Sequence, residues 1–283
     1  MAQNLQQLKK RIKTSQSIAQ ISKAMEMIAA SKIKKAQNAV EKHNPYAIKI
    51  KKMLHRILAD RDCFSKNSEK FIRHVDGRKL VYVISPDKGL CGGLVVNLLK
   101  KAIGFIEEKD YVVVVGKKAI SSVVKHNYDV LASFAMGTNF PKYEDMYPMI
   151  DIAKKIYVST SEVTKVAVVY TEFRNMLSQE AVINEIFPVR DSVDAKEKQV
   201  DYLFEPNPEQ VLKDLLPYYF EVELYAALMN AYASEQASRM MSMKNAKDSA
   251  NDITAALTNV YNKSRQEKIT NELLDLSNGQ QLK

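Results

Sequence analysis

Residues 218–278 read YYFEVELYAALMNAYASEQASRMMSMKNAKDSANDITAALTNVYNKSRQEKITNELLDLSN, a stretch that contains neither glycine nor proline. Residues 1–44 also contain neither, and both stretches are rich in Ala, Lys, Gln, Met and Leu. In a helix interior, glycine and proline cost about 1 and 3 kcal/mol relative to alanine. The two ends of the chain are therefore predicted to form two very long helices.

The first helix is predicted over residues 1–60, with Asn4 as its N-cap. The pair Asn44-Pro45 is expected to kink or interrupt this helix, because proline pushes the preceding residue out of the α region. Apolar residues recur mostly at steps of three and four, which indicates the narrow seam of a coiled coil. This predicted seam consists of Ile18, Ile21, Met25, Ile28, Ala29, Ile33, Ala36 and Val40.

The second helix is predicted over residues 207–278. Asn207 is its expected N-cap, with Pro208 in the first helical position, where proline is tolerated. Pro217 predicts a kink near its start. About 60 residues at 1.5 Å each extend roughly 90 Å. Helices of that length are unusual unless they are paired or surrounded by a partner.

The middle of the chain has a different pattern. Seven of the eight glycines fall between Gly77 and Gly137, and β-branched runs bounded by turns predict strands. The predicted strands are 79–85, 111–115 and 165–173, the helical patterns are 94–109, 117–126 and 144–158, and 179–189 is a possible antiparallel edge strand. Alternating strands and helices indicate a mostly parallel α/β domain, placed at residues 75–205.

The positive charge is concentrated in the first helix. Residues 1–60 contain 13 Lys and Arg against three acids, which gives +10, so the other 223 residues sum to −1 of the total +9. A basic stripe attracts nucleic acid, anionic lipid or an acidic protein surface. A solvated helix face without a partner is the alternative interpretation.

Motifs for catalysis, cofactors and metals are not legible in the sequence. The loop Asp87–Gly93 joins a predicted strand to a helix, but it lacks the GxGxxG pattern, and tight-turn glycines without a ligand are the favoured interpretation. Cys91 has no base nearby in sequence, and the four histidines are scattered. No apolar run approaches the ~18–20 residues of a membrane span. We therefore predict no catalytic residue, no cofactor and no metal.

Five blocks of the chain resemble the gamma subunit of F-type ATP synthases. One of them, PDKGLCGG, resembles that family's SDRGLCGG loop. The blocks are LKKRIKTSQSIAQISKAMEMIAASKIKKAQ at 8–37, PDKGLCGG at 86–93, YLFEP at 202–206, ASEQASRMMSMKNA at 233–246 and YNKSRQEKITNEL at 261–273. Their combination and order are much more specific than any single block.

The resemblance implies a fold and a function. The terminal helices would form an antiparallel coiled coil, with a central Rossmann-like, mostly parallel α/β domain. The coiled coil would be the central rotor shaft inside a ring of alternating alpha and beta subunits. It would couple ion flow through the membrane c-ring to ATP synthesis or hydrolysis in that ring. The chain would be a non-catalytic subunit that contacts the alpha, beta and epsilon subunits and the c-ring, and no nucleic acid.

The resemblance also implies a location and contact residues. The chain would be membrane-associated through its partners only. Since no transit peptide is evident, it would lie at the cytoplasmic face of a bacterial inner membrane. The residues matching the family's contacts with the beta subunit are Met25, Lys32, Lys34, Lys35, Arg265 and Gln266. Those matching the foot near the c-ring are Tyr202, Phe204 and Glu205. Ordinary packing or a solvated helix face is the alternative for each.

Two functions from other classes stay open at this point. A nucleic-acid-binding coiled coil would use the basic helix on phosphates and would lose affinity steeply with salt, but the stripe lacks interleaved aromatic residues. A small-molecule enzyme with helical extensions would need a phosphate-binding loop or an acid/base pair. Co-purification with an ATP-hydrolysing complex, with nucleic acid or with a metabolite would distinguish the three.

Overall fold

The computed structural model describes residues 2–59, 77–158, 162–189, 204–205 and 207–280. The chain divides into two compact units. Met1–Ala30 and Arg239–Lys283 form the first, which we name the helix-pair unit. Ser31–Ser238 form the second, which we name the sheet unit. The predicted domain boundaries at 1–60, 75–205 and 207–278 stay a prediction.

Five helices and five strands follow one another in the described residues. In chain order they are α1 (Ala2–Ala59), β1 (Arg78–Ile84), α2 (Leu94–Ile103), β2 (Tyr111–Val115), α3 (Lys117–Lys125), β3 (Asp129–Phe134), a short 3₁₀ helix (Tyr143–Met146), α4 (Tyr147–Ala153), a π-helical turn (Lys154–Val158), β4 (Val163–Phe173), β5 (Gln179–Phe187) and α5 (Pro208–Gln280). The two predicted long helices are thus confirmed as α1 and α5.

Of the two predicted N-caps of the long helices, one is confirmed. α5 begins at Pro208, and the Asn207 side chain accepts a hydrogen bond from the Gln210 amide at 2.9 Å, as predicted for its N-cap. α1 begins at Ala2, so the prediction of Asn4 as its N-cap is wrong. Pro45 does not interrupt α1, and Pro217 lies inside α5. Beside Pro217, Leu216 and Tyr219 are buried, which offsets part of proline's roughly 3 kcal/mol cost. Residues 41–49 around Pro45 are exposed or half-buried, so burial does not explain how α1 accommodates that proline.

The sheet has the order β3-β2-β1-β4-β5, with every neighbouring pair parallel except β4 and β5. This confirms the mostly parallel sheet and its antiparallel edge strand. The prediction missed β3, whose sequence DVLASF lacks a β-branched run and whose side chains are only partly buried. It also extended α2 to residue 109, whereas the helix ends at Ile103, directly before Gly104.

The sheet unit has three layers. One face of the sheet packs against α2 and α3, with Val81 and Val112 meeting Leu98 and Val123. The opposite face buries a larger core against α1, α4 and α5. That core includes Tyr82, Val113, Ile186, Leu54, Ile150, Leu212 and Leu224, all buried. β1 and β2 contain continuous apolar runs whose successive side chains enter the two opposite cores, so both faces of the sheet are covered there, as parallel sheets require.

A buried ionic cluster joins the amino-terminal ends of β1 and β2. Asp110 is fully buried, and its carboxylate accepts hydrogen bonds from the backbone amides of Lys79 at 2.9 Å and Glu107 at 2.8 Å. The Lys79 ammonium lies 3.3 Å from Asp110 and 2.8 Å from Glu107. Burial lowers the pKa of Lys79, but the two carboxylates outweigh that effect and the net pKa is raised.

Candidate partner-contact surfaces

In the helix-pair unit, α1 and α5 run antiparallel. The Ser15 hydroxyl donates a hydrogen bond to the Ala250 carbonyl at 2.8 Å, and the Lys247 ammonium lies 2.9 Å from the Glu26 carboxylate. The hydrogen bond from Lys247 to Glu26 is the main cause of a raised pKa for Lys247. In the sheet unit His43 contacts the Val222 carbonyl and the Tyr46 hydroxyl contacts the Tyr218 hydroxyl, so the same two helices run antiparallel there as well. The predicted antiparallel helix pairing is confirmed.

The seam of α1 in the helix-pair unit differs from the predicted one. Ile21 and Ile28, predicted to be in the seam, are 60% and 57% exposed, and Ile18 and Met25 are 48% and 37% exposed. The buried or half-buried positions recur at alternating steps of three and four. They are Leu5, Leu8, Ile12, Ser15, Ala19, Ser22, Glu26 and Ala29. The predicted Ile33, Ala36 and Val40 of the sheet unit are buried, which confirms that part of the seam.

Small side chains explain the error. A seam of alanine and serine lets two helix backbones approach closely, while the larger Ile and Met side chains of the same helix point outward. Hydrophobicity alone selects the bulky residues and therefore the wrong face. The alternating 3–4 spacing of small residues was the signal that could have identified the seam.

An apolar surface remains exposed around the helix-pair unit. It includes large side chains of both helices: Ile18, Ile21, Met27, Ile28, Ile253, Val260, Ile269, Leu273 and Leu274. Single exposed apolar residues are ordinary, but a run of them along a helix pair indicates a surface that a partner covers. Met25, predicted to contact the beta subunit, is 37% exposed on this surface. Arg265 and Gln266 are exposed on α5.

The three predicted contact lysines of α1 do not share one environment. Lys34 and Lys35 are exposed, whereas Lys32 is half-buried and its ammonium donates a hydrogen bond to the Thr138 carbonyl. Lys32 is therefore already bound by the loop after β3. The pair Lys34 and Lys35 carries positive charge that is accessible to an acidic partner.

The predicted foot residues are only partly described. Tyr202 lies outside the described residues. Phe204 is half-buried and packs against the larger core of the sheet unit, while Glu205 is exposed. Glu205 is thus the described residue of the three that a partner can reach most readily.

The glycine loop at 87–93 is occupied by the chain itself. In open α/β sheets, ligands bind at the carboxyl ends of the strands where the strand order reverses, which here lies between β1 and β4. The Ser238 hydroxyl of α5 donates to the Cys91 carbonyl at 2.6 Å, and the Ser234 hydroxyl donates to the Thr171 carbonyl of β4 at 2.9 Å. α5 therefore lies across the position where a nucleotide would bind.

The Asp87 carboxylate of this loop is also engaged. It accepts hydrogen bonds from the backbone amides of Lys117 at 2.9 Å and Gly137 at 2.7 Å. Elsewhere in the described ranges, no cluster of His, Cys, Asp and Glu has the arrangement of a metal site. None of the described helices combines the length and hydropathy that a membrane span requires.

Comparison with known proteins agrees with the two-helix and sheet arrangement. The sequence matches the family model described as ATP synthase over residues 4–281. It is 36% identical over 279 residues to an ATP synthase gamma chain of Dehalococcoides mccartyi, with 98% of each chain covered. The chain belongs to the ATP synthase gamma chain family. A gamma chain of Roseiflexus castenholzii is 33% identical, with 96% of each chain covered.

Solved structures show the same gamma chain fold. A chain of the Tetrahymena thermophila mitochondrial ATP synthase, from a structure of its central stalk and c-ring, matches with a TM-score of 0.61 at 25% identity, covering 80% of this gamma chain and 99% of that one. A chain from the Euglena gracilis rotor matches with a TM-score of 0.69 at 17% identity, covering 95% and 100%. The predicted fold class and the family resemblance are confirmed, and the two alternative functions find no support in these comparisons.

Proposed function

We propose that this gamma chain is the central rotor shaft of an F-type ATP synthase, coupling ion flow through the c-ring to ATP synthesis or hydrolysis. It is a non-catalytic subunit of that complex. The observation that carries the proposal is the match to gamma chains over 98% of the sequence. The exposed apolar surface of the helix-pair unit supports it, because a ring of alpha and beta subunits would cover such a surface.

The partners follow from the same assignment. The alpha and beta subunits would surround the helix-pair unit, with Met25, Arg265 and Gln266 among the contacts with the beta subunit. Lys34 and Lys35 would face acidic segments of that subunit, whereas Lys32 would act mainly within the chain. The epsilon subunit and the c-ring would contact the foot, near Tyr202, Phe204 and Glu205.

The chain would associate with the membrane through these partners alone. As a gamma chain it is a subunit of a membrane-bound complex. We place that complex in a bacterial inner membrane, with the gamma chain at the cytoplasmic face. The curated relatives described above, which are bacterial gamma chains, support this location.

Reconstitution tests the proposed function. An otherwise complete ATP synthase assembled from subunits of the same source should couple ATP hydrolysis to ion pumping into vesicles only when it contains this chain. The chain alone should hydrolyse no ATP. Ion pumping that is unchanged when the chain is left out, or ATP turnover by the purified chain, would contradict the proposal.

Charge reversal tests the two accessible lysines. Exposed ion pairs each contribute about 0.2–1 kcal/mol, so Lys34→Ala or Lys35→Ala alone should leave ATP-driven pumping nearly intact. The double change Lys34→Glu and Lys35→Glu replaces attraction by repulsion and should slow pumping at least about threefold in low salt. The deficit should shrink in high salt, because charges are screened over about 8–10 Å at physiological ionic strength.

A matched control uses another adjacent pair of exposed lysines. Lys100 and Lys101 lie at the end of α2, and reversing both changes the net charge by the same amount. That variant should pump at the unmodified rate. Equal losses in the two variants would show that net charge matters, rather than contact at Lys34 and Lys35.

A further inference from the structure

Two serines of α5 bind the carboxyl edge of the sheet. Ser234 is fully buried and bonds to the Thr171 carbonyl near the end of β4, and Ser238 bonds to the Cys91 carbonyl in the loop after β1. Residues four apart on a helix share one face, so both hydroxyls point to the same side of α5. One face of α5 is therefore tied to two neighbouring strands by directed hydrogen bonds.

The loop after β3 holds both long helices. Lys32 of α1 donates to the Thr138 carbonyl in this loop. On the α5 side, the Tyr225 hydroxyl donates to the Pro141 carbonyl at 3.3 Å, and the Tyr232 ring meets the Phe140 ring edge-on at 5.6 Å between centroids. The loops after β1 and β3 and the last residues of β4 thus contact α1 or α5 at the same edge of the sheet.

The hydrogen bonds of the two serines are directional, whereas the neighbouring apolar packing is not. Around the two serines α5 buries small and large apolar side chains, namely Ala231, Ala233, Ala237, Leu228, Met229 and Tyr232. Burial of apolar surface is non-directional. Hydrogen bonds weaken steeply when their angle changes, so they resist rotation of a helix about its own axis.

We propose that the carboxyl edge of the sheet is a torsional clamp, in which Ser234, Ser238 and Lys32 fix the rotational position of α5 and α1 against the sheet. The inference rests on the proposed rotor function, because a clamp of this kind matters when torque passes between the helices and the sheet unit. The three side chains are positioning residues. They contact backbone carbonyls of the same chain and leave the chemistry to the catalytic ring.

The test is the double change Ser234→Ala and Ser238→Ala in the assembled complex, measured as ions moved per ATP hydrolysed against a rising opposing ion gradient. Each lost hydrogen bond weakens the clamp by about fivefold, so the two together shift the clamped-to-slipped equilibrium by about 25-fold. The unmodified complex should keep its ion-to-ATP ratio as the gradient rises. In the variant that ratio should fall by about twofold or more at the highest gradient.

Controls separate a clamp from a general loss of stability. Ser121→Ala removes an exposed hydroxyl from α3 and should leave the ratio unchanged. Two single variants at half-buried residue 238 are compared with each other. Ser238→Thr keeps a hydroxyl that Ser238→Ala lacks, so it should keep the ion-to-ATP ratio of the unmodified chain. The clamp would be overturned if ATP hydrolysis and ion pumping fell in equal proportion in the double-alanine variant. It would also be overturned if Ser238→Thr gave the same ion-to-ATP ratio as Ser238→Ala. If the complex with the unmodified chain pumps no ions, the proposed function fails instead.

Discussion

Replacing Ile21 and Ile28 together by glutamate is expected to prevent the chain from assembling into an ATP synthase while leaving the isolated chain folded. Both side chains are more than half exposed, and glutamate favours helices, so stability should change by about 0.5 kcal/mol or less. In the complex, each buried isoleucine would contribute about 1.5–3 kcal/mol. Losing both should weaken assembly at least about 100-fold, as measured by co-purification with alpha and beta subunits.

The control for this variant is Val124→Glu, which changes a similarly exposed apolar residue on α3. It should assemble like the unmodified chain. A double isoleucine variant that co-purifies with alpha and beta subunits in full yield would show that the outward apolar surface of α1 does not face the ring.

Asp110→Ala is expected to destabilise the sheet unit by about 3–5 kcal/mol, because it leaves the buried Lys79 ammonium without its fully buried partner. It also deprives two backbone amides of their acceptor. Urea unfolding followed by circular dichroism measures the loss. Glu107→Gln is the control, since that side chain is exposed and its loss should matter much less.

The same cluster predicts a dependence on pH. The folded pKa of Lys79 is raised, so its contribution is complete below the ordinary lysine pKa and is lost as pH rises through the folded value. The stability difference between the unmodified chain and Asp110→Ala should therefore be constant near neutral pH and shrink in strong alkali. A difference that grows with alkali would contradict the role of the ion pair.

Much of the fold was accessible from the sequence because it depends on local patterns. Glycine and proline placement identified α1 and α5, and β-branched runs identified β1, β2 and β4. Edge strand β3 escaped because strands at an edge are half exposed and need fewer β-branched residues. The predicted helix start at Asn4 was wrong, since a capping residue type does not by itself determine where a helix begins.

The partner-contact surfaces were harder to predict from the sequence than the fold. Two faces of α1 compete for the buried position, and some contacts join residues far apart in the sequence. α1 has two apolar stripes, and only tertiary contact decides that Ser15 and Ala19 lie inside while Ile18 and Ile21 lie outside. The bonds from Ser234 and Ser238 join residues 63 and 147 positions apart in the sequence, so no local pattern reveals them. The motif at 233–246 marked the segment but not its role.

The seven-residue spacing of the buried positions on α1 has a mechanical consequence. An ideal α-helix drifts by about 20° per heptad from such a repeat, so a strict heptad seam winds two helices around each other in a left-handed sense. A left-handed supercoil tightens when it is twisted further in the left-handed sense and loosens when it is twisted in the opposite sense. Because the Ser15, Ala19 and Ser22 side chains in the seam are small and buried, we expect the two backbones to be close already and the helix pair to resist tightening torque more than loosening torque.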